Sequence, residues 1–210
     1  MKRELITLIT MFSMGQGCAP AEESATETPK PWESCEALGT GPEGFPTTAK
    51  QGVNVGETAK DFTACLTDSQ GADHHLYQYL GNVVLVNLGA GWCPPCQDEA
   101  DDIQALYETY QNQGFQVVMG MGEAWRSGTK PTAVFLKDWA DTYGITFPML
   151  SDPNWTLAQY YRPTEEGYIP LNLIVDRDGV VVYNSVGGIQ LMSAKRVISE
   201  ALAKQATLMY

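Results

Sequence analysis

The chain has 210 residues, of which 44% are hydrophobic and 18% charged, and its formal net charge is −12. This length and composition suit one globular domain with a sizeable core and an additional segment. Because the charge is strongly negative and the basic residues form no run, the sequence argues against nucleic-acid binding and against electrostatic attraction to anionic lipid.

The N-terminus has the pattern of an export signal. "MKR" supplies a positive end, and "LITLITMFSM" is an apolar run too short for a permanent transmembrane helix. "GQGC" resembles the lipobox of bacterial lipoproteins, although Gln16 stands where a small residue is usual. We expect a signal peptide over residues 1–17 and a lipid on Cys18. Cleavage nearby without a lipid, or an unprocessed apolar tail, is the alternative.

Residues 18–50 are expected to form a flexible tether, and residues 51–210 a single folded domain. "APAEESATETPKPWES" is acidic and Pro-rich, so it buries too little apolar surface to offset its ordering entropy. Two further cysteines, Cys35 and Cys65, would be free to form a structural disulfide in an oxidising compartment. That pairing would close a loop of about 30 residues and contribute roughly 3 kcal/mol on the chain-entropy model.

From about residue 60 the chain alternates strands and helices. "DFTACLTD" has a short strand pattern and "HHLYQYL" that of a helical turn, while "NVVLVNLGA" and "FQVVMGMG" are apolar runs typical of strands buried on both faces. A helix is predicted from Pro94 to about Asn112, with an apolar stripe and Gly114 after its end. "KPTAVFLKDWADTY" predicts a second helix, followed by a strand in "TFPML" and a helical turn in "TLAQYY".

The last third predicts a hairpin and a closing helix. "YIPLNLIVD" and "VVVYNSV" flank the turn residues "RDG". "SAKRVISEALAKQ" is amphipathic, with Ser193 as its expected N-cap. The order predicts an α/β domain in which a central mixed sheet carries helices on both faces. With a Cys-x-x-Cys pair at the first strand–helix junction, this is the thioredoxin arrangement, preceded by an N-terminal extension.

Cys93 and Cys96, in "GAGWCPPCQDEA", allow three readings. A structural zinc site needs four ligands, but no second pair exists, and the adjacent His74 and His75 are expected to be surface residues; no metal site is predicted. A purely structural disulfide over so short a loop would add little stability. A redox couple is therefore the predicted role.

The redox role has a physical basis. A helix N-terminus offers unpaired N–H groups and partial positive charge, which stabilise a thiolate. Cys93 is therefore expected to be the exposed nucleophile, and Cys96, one turn further in and more buried, to resolve the mixed disulfide. Pro94 and Pro95 stiffen the loop without a lost helical hydrogen bond.

The acidic residues behind the pair suggest a reducing or mildly poised couple, because negative charge near Cys93 disfavours its thiolate. Glu99 lies three residues after Cys96 and hence on the same helical face. It is a candidate to take the proton from Cys96 during resolution. The alternative is a solvated Glu on the helix surface.

"VVLVNLGAGWCPPCQDEA" resembles the active-site strand and helix of the thioredoxin-like superfamily, most closely its exported TlpA-like thiol-disulfide oxidoreductases. Members of this family carry a carboxylate three residues after the second cysteine, and Glu99 matches that position. Asn87 stands where cytoplasmic thioredoxins have a buried Asp, and an amide cannot accept a proton, so a base role would fall to Glu99. The family usually has Phe-Trp-Ala before the cysteine motif, where this sequence has "LGAGW". The loss of that aromatic residue implies a more open surface beside the site.

The resemblance also extends to "YIPLNLIVDRDGVVVYNSVG". It implies that Pro170 is a cis-proline facing the cysteines and that the backbone of Ile169 pairs with an extended substrate segment. A trans proline at the first residue of a strand is the alternative. Trp92, Pro94 and Pro95 are expected to line the same substrate-binding surface.

Two competing functions remain open. "ITFPMLSDPNWTLAQYY" resembles the redoxin (AhpC/TSA-type) and peroxiredoxin family, which favours an antioxidant thiol peroxidase. Ala90 and Val86, however, stand where that family's Thr/Ser and Pro would bind a peroxide. A copper chaperone on the same fold would use soft thiolates, but no His follows His75.

The sequence thus predicts an enzyme, a thiol-disulfide oxidoreductase acting on exported proteins. No cofactor is required, because the partners are protein thiols and disulfides, including an upstream electron donor. The protein is expected to be a monomer in the periplasm or cell envelope, held to the membrane only by its lipid.

Overall fold

The structure is a computed structural model that describes residues 50–62, 66–161 and 168–205. The predicted signal peptide, the lipid on Cys18, the tether up to residue 49 and the Cys35–Cys65 disulfide lie outside the described residues. Within the described part of the chain, no helix is both long and apolar enough to cross a membrane.

The strands of the described residues are β1 (Leu66–Thr67), β2 (Asp73–His74), β3 (Val83–Gly89), β4 (Phe115–Met121), β5 (Met149–Ser151), β6 (Leu171–Val175) and β7 (Val181–Val186). They form one sheet in the order β2-β1-β5-β4-β3-β6-β7. The pairs β3–β4 and β4–β5 are parallel, and the other neighbouring pairs are antiparallel.

The helices are α1 (Pro94–Tyr110), α2 (Ala133–Tyr143), α3 (Thr156–Tyr161) and α4 (Leu191–Ala203). Residues of α1, α2 and α4 share one apolar cluster with the sheet, whereas α3 and the segments before β3 belong to a second cluster. Helices therefore cover both faces of a mixed sheet, which confirms the predicted fold class.

Alternation along β3 explains why its sequence is continuously apolar. Val83 and Leu85 belong to the cluster under α1, and Val84, Val86 and Leu88 to the cluster on the opposite face. All seven residues of β3 are buried. This central strand, parallel to β4 and antiparallel to β6, carries the chain directly to the cysteine pair.

The predicted N-cap of the last helix is wrong. Helix α4 begins at Leu191, two residues before Ser193, and its N-cap is Gln190. The backbone N–H of Gln190 donates to the Tyr183 hydroxyl at 2.9 Å. A side chain from β7 thus satisfies one of the free backbone donors at this helix end.

The two histidines are also less exposed than predicted. The His74 ring lies 3.2 Å from the Asp68 carboxylate, and the His75 ring 3.1 Å from that of Asp61. Both are half-buried, because each ring packs beside a polar partner of the N-terminal segments.

Candidate active site

The cysteine pair lies where β3 passes into α1. Cys93 is the N-cap of α1, and its Sγ accepts a hydrogen bond from the backbone N–H of Cys96 at 3.3 Å. Cys93 and Cys96 form a disulfide, with their Cα atoms 5.3 Å apart. The same N–H and the helix dipole would stabilise negative charge on Cys93 once the disulfide is reduced.

Cys93 is not the more exposed cysteine of the pair. It is 3% exposed and Cys96 4%, so the predicted difference in burial is wrong for the disulfide form. Trp155 and Ile169 pack against the small cluster that the two cysteines form with Ala90. Cys93 is therefore buried in a site to which Trp155 and Ile169 contribute side chains, whereas an exposed sulfur was predicted.

The chain segment before β6 lies against Cys93. The Ile169–Pro170 peptide bond is cis, as the resemblance implied, and the Ile169 carbonyl oxygen is 3.9 Å from the Cys93 Sγ. The backbone of Ile169 therefore lies beside the Cys93 sulfur, and its pairing with an extended substrate segment stays a prediction.

Trp92, Pro94 and Pro95 surround the pair on the solvent side. All three are exposed, and the Trp92 indole N–H donates to the Glu123 carboxylate. Their contact with substrate remains a prediction.

Glu99 is not a solvated surface residue. It is 5% exposed, and its carboxylate accepts from Asn87 Nδ2 at 2.6 Å, from Asn172 Nδ2 at 3.1 Å and from the Ile189 backbone N–H at 2.8 Å. Asn87 and Asn172 face each other across β3 and β6. A polar network thus lies beneath α1 on the face that also carries Cys96.

Burial raises the pKa of Glu99 above its ordinary value of 4.5, and the hydrogen bonds from Asn172, Ile189 and Asn87 only partly oppose this. A carboxylate has about four lone-pair positions. Oε2 accepts from two of the three donors, and Oε1 from Asn87 alone. Oε1 is therefore the oxygen with room for a proton.

Two residues of the site were missed by the sequence reasoning. Asn172 is buried in the centre of β6, and a polar residue inside the apolar run "LNLIV" was the available signal. Trp155 comes from the loop before α3, and no sequence pattern pointed from that loop to the cysteines.

The described residues bring no three His, Cys, Asp or Glu side chains together as a metal-binding group.

Comparison with known proteins decides the family. The AhpC/TSA family matches residues 55–184. The chain belongs to the AhpC/TSA family. The predicted membership of the thioredoxin-like redoxins is thereby confirmed.

A curated relative and two solved structures agree with this assignment. The thiol-disulfide oxidoreductase ResA of Geobacillus kaustophilus is 33% identical over 135 residues, 64% of this chain and 70% of the relative. A thiol:disulfide interchange protein of Chlorobium tepidum has a TM-score of 0.55 at 24% identity, covering 70% of this chain and 96% of that structure. A secreted thiol-disulfide isomerase of Corynebacterium glutamicum has a TM-score of 0.56 at 19% identity, covering 66% and 82%. These two structures show the fold.

Proposed function

We propose that this protein is an extracytoplasmic thiol-disulfide oxidoreductase that exchanges disulfides of exported proteins through Cys93 and Cys96. The class of activity was predicted from the sequence, and the ResA relatives confirm it. The observation that carries the proposal is the position of the Cys93 sulfur. It lies at a helix N-terminus, bonded to Cys96 and beside the Ile169 backbone.

The proposed reaction has two exchange steps. The Cys93 thiolate attacks one sulfur of a substrate disulfide, and the other substrate sulfur leaves as a thiolate that takes up a proton. The Cys96 sulfur then attacks Cys93 and releases the second substrate thiolate. Two electrons pass to the substrate, and the Cys93–Cys96 disulfide remains. A protein dithiol must reduce it before the next cycle.

Glu99 is proposed to receive the Cys96 proton in the second step. Its Oε1 has an unoccupied acceptor position, and burial raises its pKa, which makes it a better base than an exposed carboxylate. The proton then passes to the departing substrate thiolate. Asn87 and Asn172 hold the carboxylate in place.

Separate variants of the two cysteines test this assignment. Reduced protein is mixed with a disulfide-bonded peptide, and products are followed by mass spectrometry. Wild type should yield free peptide thiols, Cys96→Ser should stop at a mixed disulfide on Cys93, and Cys93→Ser should be inactive. Peptide reduction that survives Cys93→Ser contradicts the assignment.

The same preparations separate the two alternative functions. Consumption of hydrogen peroxide that is faster than peptide reduction would favour a thiol peroxidase. Stoichiometric Cu(I) bound by reduced wild type and lost in Cys93→Ser, with no peptide reduction, would favour a copper chaperone.

Export and lipid attachment form the second part of the proposal. They rest on the apolar run after "MKR" and on Cys18 in "GQGC". The domain would then work at the end of a tether outside the cytoplasm, among disulfide-forming proteins. In a bacterial host that processes lipoproteins, Cys18→Ser should move the protein from the membrane fraction to the soluble fraction. An unchanged distribution contradicts the lipid anchor.

A further inference from the structure

Trp155 has a backbone conformation that bulky residues rarely adopt. Its φ is 55°, the one positive φ among the non-glycine residues that the structure describes. This left-handed region favours glycine, and a large side chain there is strained. Such strain persists only where the surroundings hold it, and it often marks functional sites.

The surroundings of Trp155 account for its conformation. Its N–H donates to the Asp152 carbonyl at 3.0 Å. The Asp152 carboxylate accepts from the next two backbone N–H groups, of Thr156 at 2.6 Å and Leu157 at 2.9 Å. The buried Asp152 thus fixes the chain on both sides of Trp155.

The Trp155 ring lies in a space left by a glycine. A Cβ built at Gly122 would lie 2.5 Å from ring atoms of Trp155. The ring also packs against the cluster of Cys93, Cys96 and Ala90, together with Ile169. Only a residue without a side chain at position 122 therefore leaves room for the indole in this position.

The strand that leads to the cysteines, β3, provides no large side chain next to the pair at its end. It ends at Gly89 and is followed by Ala90 and Gly91, and a Cβ at Gly89 would already lie 3.2 Å from the Cys96 Sγ. The large side chain against the pair comes instead from the loop before α3.

We propose that Trp155 is the specificity-determining residue of this site. Its indole shields Cys93 from small thiols and disulfides, and it offers an apolar surface to a side chain of an extended peptide lying along Ile169. The substrates favoured are extended protein segments with an aromatic or large apolar residue next to the disulfide cysteine. This inference rests on the proposed oxidoreductase function and adds its substrate class.

The first test uses Trp155→Gly, because glycine accepts a positive φ without strain and the fold should be kept. Reduction of the Cys93–Cys96 disulfide by dithiothreitol should become roughly tenfold faster, since exchange rates depend on access to the attacked sulfur. Trp125→Phe is the control, because Trp125 lies in a separate aromatic cluster with Phe135 and Trp139. It should react as wild type does.

The second readout is substrate choice. Two disulfide-bonded peptides that differ in Phe or Ser beside the cysteine are offered to each reduced protein. Wild type should prefer the Phe peptide, and Trp155→Gly should reduce that preference by roughly threefold to tenfold, the factor expected of one aromatic pair. Gly122→Ala should have the same effect, because its methyl group displaces the ring while residue 155 is unchanged.

The outcomes separate the two proposals. If wild type reduces neither peptide, the oxidoreductase function fails. If wild type reduces both but Trp155→Gly keeps the wild-type peptide preference, the role of Trp155 is overturned and the oxidoreductase function stands. A loss of preference caused by general unfolding would also slow the Ser peptide, which the proposal expects to react at the wild-type rate or faster.

Discussion

Asp152→Asn should remove the contribution of one buried carboxyl group to the pH dependence of stability. Asp152 is fully buried, and burial raises its pKa from 3.8 to about 6, although two backbone N–H groups favour the charged form. Below pH 3.8 this carboxyl is protonated in the folded and the unfolded chain. Between the two values the unfolded chain ionises while the folded chain keeps its proton, so the free energy of unfolding falls as pH rises.

The magnitude follows from the two pKa values. Since one pKa unit corresponds to about 1.4 kcal/mol, a rise from 3.8 to about 6 removes about 3 kcal/mol of stability from wild type in total, of which about 2 kcal/mol is lost between pH 4 and pH 7. Asparagine does not titrate. The unfolding free energy of Asp152→Asn minus that of wild type should therefore increase by about 2 kcal/mol between pH 4 and pH 7.

Urea unfolding of the oxidised proteins, followed by far-ultraviolet circular dichroism at four pH values from 4 to 7, measures this difference. Asp152→Ala is the internal control. It lacks the same proton and should show the same pH trend as Asp152→Asn, displaced by a constant for the lost hydrogen bonds. A difference between variant and wild type that stays constant with pH would refute the reasoning, because Asp152 would then have the same pKa in the folded and the unfolded chain.

Three further changes test the site and the core. Glu99→Gln should slow the second exchange step at least about tenfold and remove the pH dependence that Glu99 gives to that step. The control is Glu108→Gln, which changes an exposed carboxylate on the same helix and should leave the rate of that step unchanged. Equal rates in the two variants would exclude the proposed proton transfer to Glu99. Asn172→Leu should lower the unfolding free energy by about 1–3 kcal/mol, because it leaves Glu99 and Asn87 with lost partners; a stability equal to wild type in urea would contradict the network. Leu106→Ala, in the core under α1, should lower the unfolding free energy by about 2–5 kcal/mol and leave the rate of peptide reduction at low temperature unchanged. A loss of peptide reduction without a loss of stability would contradict a purely structural role of Leu106.

Local sequence signals predicted the order of elements well. The apolar run of β3, the stripe of α1 and the glycine after it depend on neighbours a few residues apart. The position of Cys93 at a helix N-terminus follows from the same signals. These features establish where the Cys93 sulfur lies relative to β3 and α1.

The remaining features of the site depend on contacts between distant residues. Asn87 and Asn172 are 85 residues apart in the sequence and come together only because β3 pairs with β6. The burial of Glu99 between them could therefore not be inferred from its position on the helix alone. Trp155 is harder still, because backbone preference argues against a tryptophan with positive φ. The expected exposure of Cys93 was wrong because it took no account of that side chain.

The hydrogen bond from the Ile189 amide to Glu99 joins the active-site helix to the turn that precedes α4. A proton arriving on the carboxylate weakens this bond, since an ionised acceptor binds an N–H more strongly than a neutral one. The amide proton resonance of Ile189 is thus a built-in indicator of the charge beneath the cysteines. Nuclear magnetic resonance could follow it through a redox cycle without any label at the sulfurs.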